Sequence, residues 1–507
     1  MKVIIIGSGI AGLTAGAYLA CEGHKVIIYE QFPEIGGVTA TIHEKGYSWD
    51  LGPLLLGGIA PHESLGKILA ELAITDKIKL IYEDRGQSFP DFQIWRQKEY
   101  EGPYWRREYL RKIFPEESEG LDKYYEFYDR MVELGYLLNE LPFISGIKAL
   151  ITKLKLLFKF LKVKKLAKWS AAEVLDYFFN SPKLKAVFTG ILADIVTKPS
   201  EFPGLGVPFF NIETAFDKRI PTKTKWGMLP VYHYIKNGCG ELVKAFADLI
   251  LDHEGEIHPN CKVQKILIEN NQVKGVQLEN EEKINADIVL ASGGMFNTFF
   301  NLVGKEYLPA ELITHIETKK LMESVFMVHL GIDFDPSKFQ RAALCYYYLT
   351  YDIEKAIGEM REGIYHEGKD GFLIYIPSMH SPEMAPPGKH AVTIYTVGPH
   401  ELKEGSWQER REEMADKLIM EAEKIIPGLY EGSEVKIIMT PDDFKKRIDV
   451  VRHSFGGTAP VMGEVNPSHR TPIQNLWYIG AYSESGGGVA GASLGGRNVA
   501  KMILKEK

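Results

Sequence analysis

The 507-residue sequence predicts an α/β fold in three parts: a domain built on a buried parallel sheet, a mixed-sheet domain, and a helical cap. Short apolar strand patterns alternate with helical patterns at both ends of the chain and in its middle. Glycine-rich turns follow the first strand and the last one. Residues 148–168 add a lysine-rich stretch with helical apolar spacing, which predicts that the cap faces a membrane.

The first element is a strand–turn–helix unit. Residues 2–6 are a continuous apolar run, typical of a strand buried on both faces. Gly7, Gly9 and Gly12 follow as G-x-G-x-x-G, with Ser8 and Ala11 between them. These glycines permit the turn, the approach of backbone to a diphosphate, and close packing of helix on strand. The pattern predicts a Rossmann-type dinucleotide site with phosphates at the helix N-terminus.

The second strand ends in an acid that suits a ribose. Glu30, followed by Gln31, is placed to accept hydrogen bonds from ribose hydroxyls, and its charge disfavours the 2′-phosphate of NADP. Gly36 and Gly37, before Val38, then predict a second close-approach turn. Gly52 and Pro53, in "DLGP", add a rigid turn. A domain that binds NAD has no obvious need for these additional turns.

Together these strings resemble the amine-oxidase-type FAD superfamily, and within it the phytoene desaturase, carotenoid isomerase and retinol saturase family. The resemblance implies that the dinucleotide is FAD. One residue departs from the family pattern, which usually has arginine after the Gly-Gly doublet, in contact with an FAD phosphate. This chain has Val38 there, so a charge-assisted contact is missing. Weaker FAD binding, or another cation, is expected.

The middle block continues the resemblance. A helix is predicted over 242–251, a hairpin of 256–268 with 272–278, and a buried strand over 286–291. The resemblance implies that this block completes the FAD domain, with Val263 near the adenine. Cys239 interrupts a glycine pair in "NGCGEL", and we interpret it as a buried spacer rather than a catalytic thiol.

The C-terminal block, "LWYIGAYSESGGGVAGASLGG", predicts a strand over 476–479, a turn at Gly480 and a helix over 491–504. Its glycines let backbone run against a flat ring. By resemblance, the flavin-end contacts are Gly480, Ala481, Gly488, Val489 and Ala492. The helix dipole and the N–H groups near Val489 would then stabilise negative charge on the reduced flavin.

The remaining sequence predicts the substrate-binding part of the protein. "SVFMVHLGID", "GFLIYIP" and "HAVTIYTVG" read as an antiparallel sheet, and "CYYYLTY" reads either as a tunnel wall or as a core strand. The predicted units are an FAD domain of 1–75, 225–291 and 441–507, a helical cap of 76–224, and a sheet domain of 292–440.

Residues 148–168 contain eight lysines and no acid, while the whole chain carries a net charge of −7. On a helical projection Leu150, Leu154 and Phe158 share one face with other apolar residues, and Lys155 and Lys159 lie opposite. This pattern is typical of a helix at the surface of an anionic membrane. The alternative is a cap helix whose lysines are merely solvated.

Composition excludes several other classes of protein. The balance of 45% hydrophobic and 25% charged residues is that of a globular protein, and the acidic net charge gives no reason to expect nucleic acid. Four separated cysteines argue against a metal site or a disulfide framework, and favour a reducing, cytoplasmic location. Neither a signal peptide nor a membrane-spanning run is predicted.

The predicted activity is FAD-dependent hydride transfer on carbon–carbon bonds of a long apolar isoprenoid or polyene, in desaturation, saturation or isomerisation. An amine or amino-acid oxidase is one alternative, although "GAYSES" replaces the "G-E-x-T" of those relatives. A prenyl-lipid escort protein without flavin is another. No catalytic residue and no electron partner is assigned. His453 is noted as a candidate proton-transfer group, although a lone histidine is more often structural.

Overall fold

A computed structural model describes residues 1–224 and 227–506. Its nucleotide-binding part is built on a parallel sheet of five strands, with the first strand at the centre. In spatial order the strands are Glu256–His258, Lys25–Tyr29, Lys2–Ile6, Ile288–Ser292 and Leu476–Ile479. Because all five run in one direction, their carboxyl ends meet along one edge of the sheet, where ligands bind in such folds.

Three helices cover one face of this sheet: Ile10–Cys21, Gly240–Asp252 and Val489–Lys505. The hairpin Val263–Glu269 and Gln272–Leu278, extended by Lys283–Asn285, covers the other face. A π-helical segment, Asn297–Gly304, and the helix Ala310–Glu317 pack beside the hairpin. Both faces of the central strands are therefore buried, which explains their unbroken apolar sequences.

The predicted strand over 256–268 is wrong in one respect, because the chain divides it in two. Residues Glu256–His258 form the edge of the parallel sheet, and only Val263–Glu269 belongs to the hairpin. Asn260 between them adopts a left-handed φ of 55°. The Pro-Asn pair at 259–260 is a turn signal that separates the two strands.

The second part is a seven-stranded mixed sheet. In spatial order its strands are Ser433–Met439, Ser324–Ile332, His390–Gly398, Gly371–Tyr375, Leu344–Tyr348, Arg85–Ser88 and Gln93–Ile94. Every neighbouring pair is antiparallel except Leu344–Tyr348 with Arg85–Ser88, which is parallel. The last two strands come from the segment 76–224 that the sequence predicts as a helical cap. One face of the sheet packs on the helix Trp407–Glu423.

The other face of this sheet packs under the helical cap, in one apolar core rich in aromatic residues. The cap helices are Trp105–Ile113, Ser118–Glu140, Gly146–Leu161, Ala171–Phe178, Pro182–Thr189, Ile191–Asp194 and Val207–Phe210. Within this core Arg106 forms a buried ion pair with Glu213, Nη2 to Oε1 2.8 Å. Tyr125 donates a hydrogen bond to the same Glu213 oxygen at 2.9 Å.

The remaining elements are short. The helices Ser64–Glu71, Ile353–Arg361 and Pro441–Arg447 lie outside these layers, and two-stranded sheets pair Thr41–Glu44 with Tyr47–Asp50, Leu80–Ile81 with Tyr234–Ile235, and Lys223–Thr224 with Gly227–Met228. The predicted domain boundary at residue 225 lies outside the described residues. The residue limits of the three predicted units stay a prediction.

Candidate functional site

A cavity of about 1130 Å³ runs along the carboxyl edge of the parallel sheet. Its wall includes both predicted glycine systems, from Gly7 and Gly9 at one end of the chain to Gly488 near the other. The two systems are neighbours because the helices that follow them pack tightly. A Cβ added to Gly496 of the C-terminal helix would lie 2.3 Å from the carbonyl oxygen of Ala11.

All but two of the residues predicted from the sequence line this cavity. They are Gly7, Gly9, Ala11, Glu30, Gln31, Gly36, Gly37, Val38, Gly52, Pro53, Val263, Gly480, Ala481, Gly488, Val489 and Ala492. Ser8 and Gly12 are buried and do not line the cavity. Gly12 is needed for packing, because a Cβ there would lie 2.4 Å from the carbonyl oxygen of Gly7.

The first glycine turn leaves no room for a side chain at Gly7. Gly7 has φ +92°, and a Cβ on it would lie 2.6 Å from the carbonyl oxygen of Ser292 on the adjacent strand. The helix Ile10–Cys21 begins directly after Gly9, so its first N–H groups point into the cavity. This arrangement of free N–H groups and helix dipole suits a phosphate.

Glu30 is held by Ser8 rather than by a cation. The Ser8 backbone N–H and hydroxyl both donate to Glu30 Oε2, at 2.9 and 2.7 Å, and the Phe32 N–H donates to Oε1 at 2.9 Å. Gly36 N–H donates in turn to the Ser8 hydroxyl at 3.2 Å. Ser8 therefore positions the acid and the second glycine turn together, and Glu30 keeps lone pairs to accept from ribose hydroxyls.

The "DLGP" and "NGCGEL" strings meet in the structure. Asp50 Oδ1 accepts hydrogen bonds from the Cys239 N–H at 2.7 Å and the Thr41 hydroxyl at 2.8 Å. Burial raises the pKa of Asp50 to about 6. Burial also raises the pKa of the Cys239 thiol well above its ordinary value, and the thiol donates to the Pro53 carbonyl. Cys239 is thus a protonated, packed spacer.

The C-terminal glycine segment, residues 485–488, borders open space. Gly486 and Gly488 have φ +77° and +75°, and a Cβ on either would meet no atom within 4 Å. The helix begins at Val489, two residues earlier than predicted, so its free N–H groups lie at the cavity. His469 holds the segment from behind, since Nδ1 donates to the Tyr478 carbonyl and Nε2 lies 2.6 Å from Ser485 Oγ.

Among the parts of the wall that sequence reasoning missed are residues 292–294, 447–450 and 454–460. The first carried a signal, because the glycine doublet Gly293-Gly294 follows a buried strand as Gly7 does. Arg447 and Asp449 carried none, since they reach the cavity only through tertiary packing from the short helix Pro441–Arg447 and its end.

His453 also lines the cavity. Its ring stacks on Phe444 at 4.9 Å between centroids, and its Nδ1 is hydrogen-bonded to the Ser324 hydroxyl. Burial, with a smaller effect of His400, lowers the pKa of His453 to about 3. The ring is therefore neutral at physiological pH, and the same burial disfavours its protonation.

The predicted tunnel wall at 345–351 is not part of this cavity. Leu344–Tyr348 is an interior strand of the large sheet and is buried throughout. Tyr346 and Tyr348 pack against the cap, whereas Cys345 and Tyr347 pack on the opposite face. The alternating aromatics of this strand serve the two cores.

The cavity fits FAD by its shape and by its donors. Glycine walls at both ends accept flat or phosphate groups that a Cβ would exclude, and helix N-termini open at both ends. Arg447 adds a buried guanidinium whose Nη2 has no partner among the described residues. When bound, FAD supplies hydride-transfer chemistry. No group of three His, Cys, Asp or Glu side chains in the described chain is arranged to hold a metal.

Comparisons with known proteins show the family of the chain. The family model described as flavin containing amine oxidoreductase matches residues 10–295, and the model described as FAD dependent oxidoreductase matches residues 238–502. Among curated relatives, a lycopene-forming phytoene desaturase of Pseudescherichia vulneris is 22% identical, over 100% of this chain and 99% of that protein.

A chloroplastic prolycopene isomerase of Daucus carota is 24% identical, over 99% of this chain and 80% of that protein. An oxidoreductase from Methanosarcina mazei of solved structure shares the fold, with a TM-score of 0.62 and 18% identity over all of both chains. Since each family model covers more than half of the chain, the chain belongs to the flavin containing amine oxidoreductases and is an FAD-dependent oxidoreductase.

Proposed function

We propose that this oxidoreductase acts on carbon–carbon bonds of a long apolar isoprenoid or polyene, by desaturation, saturation or isomerisation. The relatives named above are a phytoene desaturase and a prolycopene isomerase, and their similarity extends over nearly the whole chain. The observation that carries the proposal is the apolar wall beside the C-terminal glycine segment. It is formed by Ile195, Phe210, Met322, Val325 and Phe455.

This wall suits a hydrocarbon because it offers hydrophobic contact and few polar groups. Ile195 and Phe210 come from the cap, while Val325 comes from the large sheet. A chain held between these two layers lies beside the glycine segment and is shielded from water. The protein's part in the reaction is then to position the chain and exclude solvent.

The activity is tested with flavin absorption under anaerobic conditions. The oxidised protein is mixed with phytoene, and the chemically reduced protein with lycopene. Flavin bleaching in the first mixture indicates desaturation, and reoxidation in the second indicates saturation. Isomerisation of prolycopene, detected by chromatography, leaves the flavin spectrum unchanged. Absence of all three, with bleaching by putrescine, contradicts the proposal and favours an amine oxidase.

We further propose that the protein collects this substrate from an anionic membrane surface through the basic helix, Gly146–Leu161. The helix ends at Leu161, earlier than the predicted stretch to 168, and residues 164–166 form a separate 3₁₀ turn. Thr152 is its one buried residue, and Lys159 pairs inward with Glu133 at 2.7 Å. None of the described helices is both long and apolar enough to cross a bilayer.

The apolar stripe of the basic helix points away from the protein. Its exposed residues are Ile147, Leu150, Ile151, Leu154, Leu157, Phe158 and Leu161. Lys153 and Lys155 are exposed on the two flanks of this stripe, so Lys155 borders the stripe and does not lie opposite it as predicted. An outward apolar stripe between lysines is the arrangement of a helix that lies in the headgroup region of an anionic bilayer.

A further inference from the structure

Arg447 occupies an unusual place for a charged residue. It ends the helix Pro441–Arg447, and only 6% of it is exposed. Its Nε donates to the carbonyl oxygen of Gly37 at 2.9 Å, and its guanidinium carbon lies 4.7 Å from the centre of the Phe32 ring. The second terminal nitrogen, Nη2, is buried without a partner among the described residues.

The protein supplies little negative charge to this guanidinium. The carboxylate of Glu34 lies 3.7 Å from Nη1, but it is mostly exposed to solvent, where an ion pair is weak. Burial lowers the pKa of Arg447 below its ordinary value, although Glu34 and Glu30 oppose this effect. A buried cation with a free donor is costly unless an anion compensates it. A ligand anion in the cavity can supply this compensation.

The position of Arg447 identifies that anion. Gly37, which Arg447 contacts, lies against the first glycine turn, since a Cβ on Gly37 would be 3.7 Å from Gly9 Cα. Gly9 precedes the helix whose N–H groups suit a phosphate. The other lysine or arginine on the described cavity wall is Lys262, which already pairs with Asp449 at 3.0 Å.

We propose that Arg447 is the cation that binds the diphosphate of FAD, in place of an arginine after the Gly-Gly doublet, where this chain has Val38. The guanidinium reaches the same glycine turn from a helix 410 positions away in the sequence. A planar guanidinium with one nitrogen fixed on Gly37 presents its remaining donors in a set direction, which favours recognition of phosphate oxygens.

The test measures the affinity of the full-length apoprotein for FAD and for riboflavin, which has the same ring and no phosphate. Quenching of flavin fluorescence reports both. Arg447→Met is expected to weaken FAD by roughly 10- to 150-fold, the effect of one hydrogen bond to a charged group, and to leave riboflavin unchanged. Lys262→Met is the matched control, and we expect it to change FAD affinity by less than about threefold.

Two further variants separate phosphate binding from support of the turn. Arg447→Lys keeps the charge but loses the Nε donor to Gly37, so we expect it to retain the preference for FAD over riboflavin. Adding Val38→Arg to Arg447→Met restores that preference if a cation at this turn is what FAD requires. The proposal is overturned if Arg447→Met weakens both flavins equally, if it leaves FAD unaffected, or if Val38→Arg restores nothing.

Discussion

Replacing Leu154, Leu157 and Phe158 by serine tests the proposed membrane contact of the basic helix. The three side chains are 48%, 54% and 65% exposed, and they lie on the outward stripe. None belongs to the buried core under the cap, so the substitutions remove little packing. Serine removes the apolar surface that lipid would cover, and its small polar side chain remains in contact with water.

The size of the effect follows from these exposures. Complete burial of a leucine or phenylalanine side chain stabilises by about 1.5–3 kcal/mol. About half of each side chain is already covered by the protein, so transfer into lipid adds about half of that value. Three residues together contribute about 2–4 kcal/mol, which corresponds to a decrease in the membrane partition coefficient of about 30- to 900-fold.

Cosedimentation with vesicles of phosphatidylcholine and phosphatidylserine measures this coefficient. Met420→Ser on the helix Trp407–Glu423 is the matched control, because Met420 is also exposed but lies away from the basic helix. Wild type and control should bind anionic vesicles at low salt and release them at high salt. Equal binding by the triple serine variant and the wild type would refute the reasoning.

Three other substitutions test the site and the core. Gly488→Val places a β-branched residue at φ +75°, ψ 158°, a backbone conformation that costs about 1–3 kcal/mol for such a residue, and its side chain fills space in the cavity. The variant should therefore purify without FAD. The control Gly388→Val, at φ +77° in an exposed turn, should stay yellow. Arg106→Met leaves Glu213 buried without its cation, so the free energy of unfolding should fall by about 3–5 kcal/mol. Adding Glu213→Leu should recover part of this loss. No recovery would contradict the buried ion pair of Arg106 with Glu213. Burial raises the pKa of Asp50 to about 6, so its protonated form stabilises the fold at acid pH and this stability is lost as pH rises through 6. Urea titrations of the wild type should show the free energy of unfolding fall by about 1.4 kcal/mol between pH 5 and pH 8, a loss that Asp50→Asn lacks. Equal pH dependence of the two proteins would exclude this role of Asp50.

Local patterns of apolar residues and glycines in the sequence predicted the strands that are buried on both faces. Residues 2–6 and 476–479 are strands with the predicted bounds, because a short apolar run between glycine turns has few other stable conformations. The same patterns predicted most of the cavity wall, since glycines at close approaches are visible in the sequence. They missed the strand break at 259–262, although the Pro-Asn pair there is a turn signal.

Features that depend on contacts between segments far apart in the chain could not be predicted from the sequence. The parallel pairing of Arg85–Ser88 with Leu344–Tyr348 joins strands separated by more than half the chain, and nothing in either segment specifies the partner. Arg447 is similar, because "DDFKKRIDV" reads as a solvated basic helix end. Its burial against Gly37 follows only from how the helix Pro441–Arg447 packs beside the glycine turn.

The separation of the two glycine systems in sequence explains how this fold controls cofactor binding. The helices after Gly9 and Gly488 touch where Gly496 packs against the backbone of Ala11, a residue that also lines the cavity. Backbone contact of this kind leaves little freedom to slide, so it fixes the spacing between the two helix N-termini that open into the cavity. The length of ligand that the site accepts is therefore set by the packing of these two helices as well as by the residues that line the cavity.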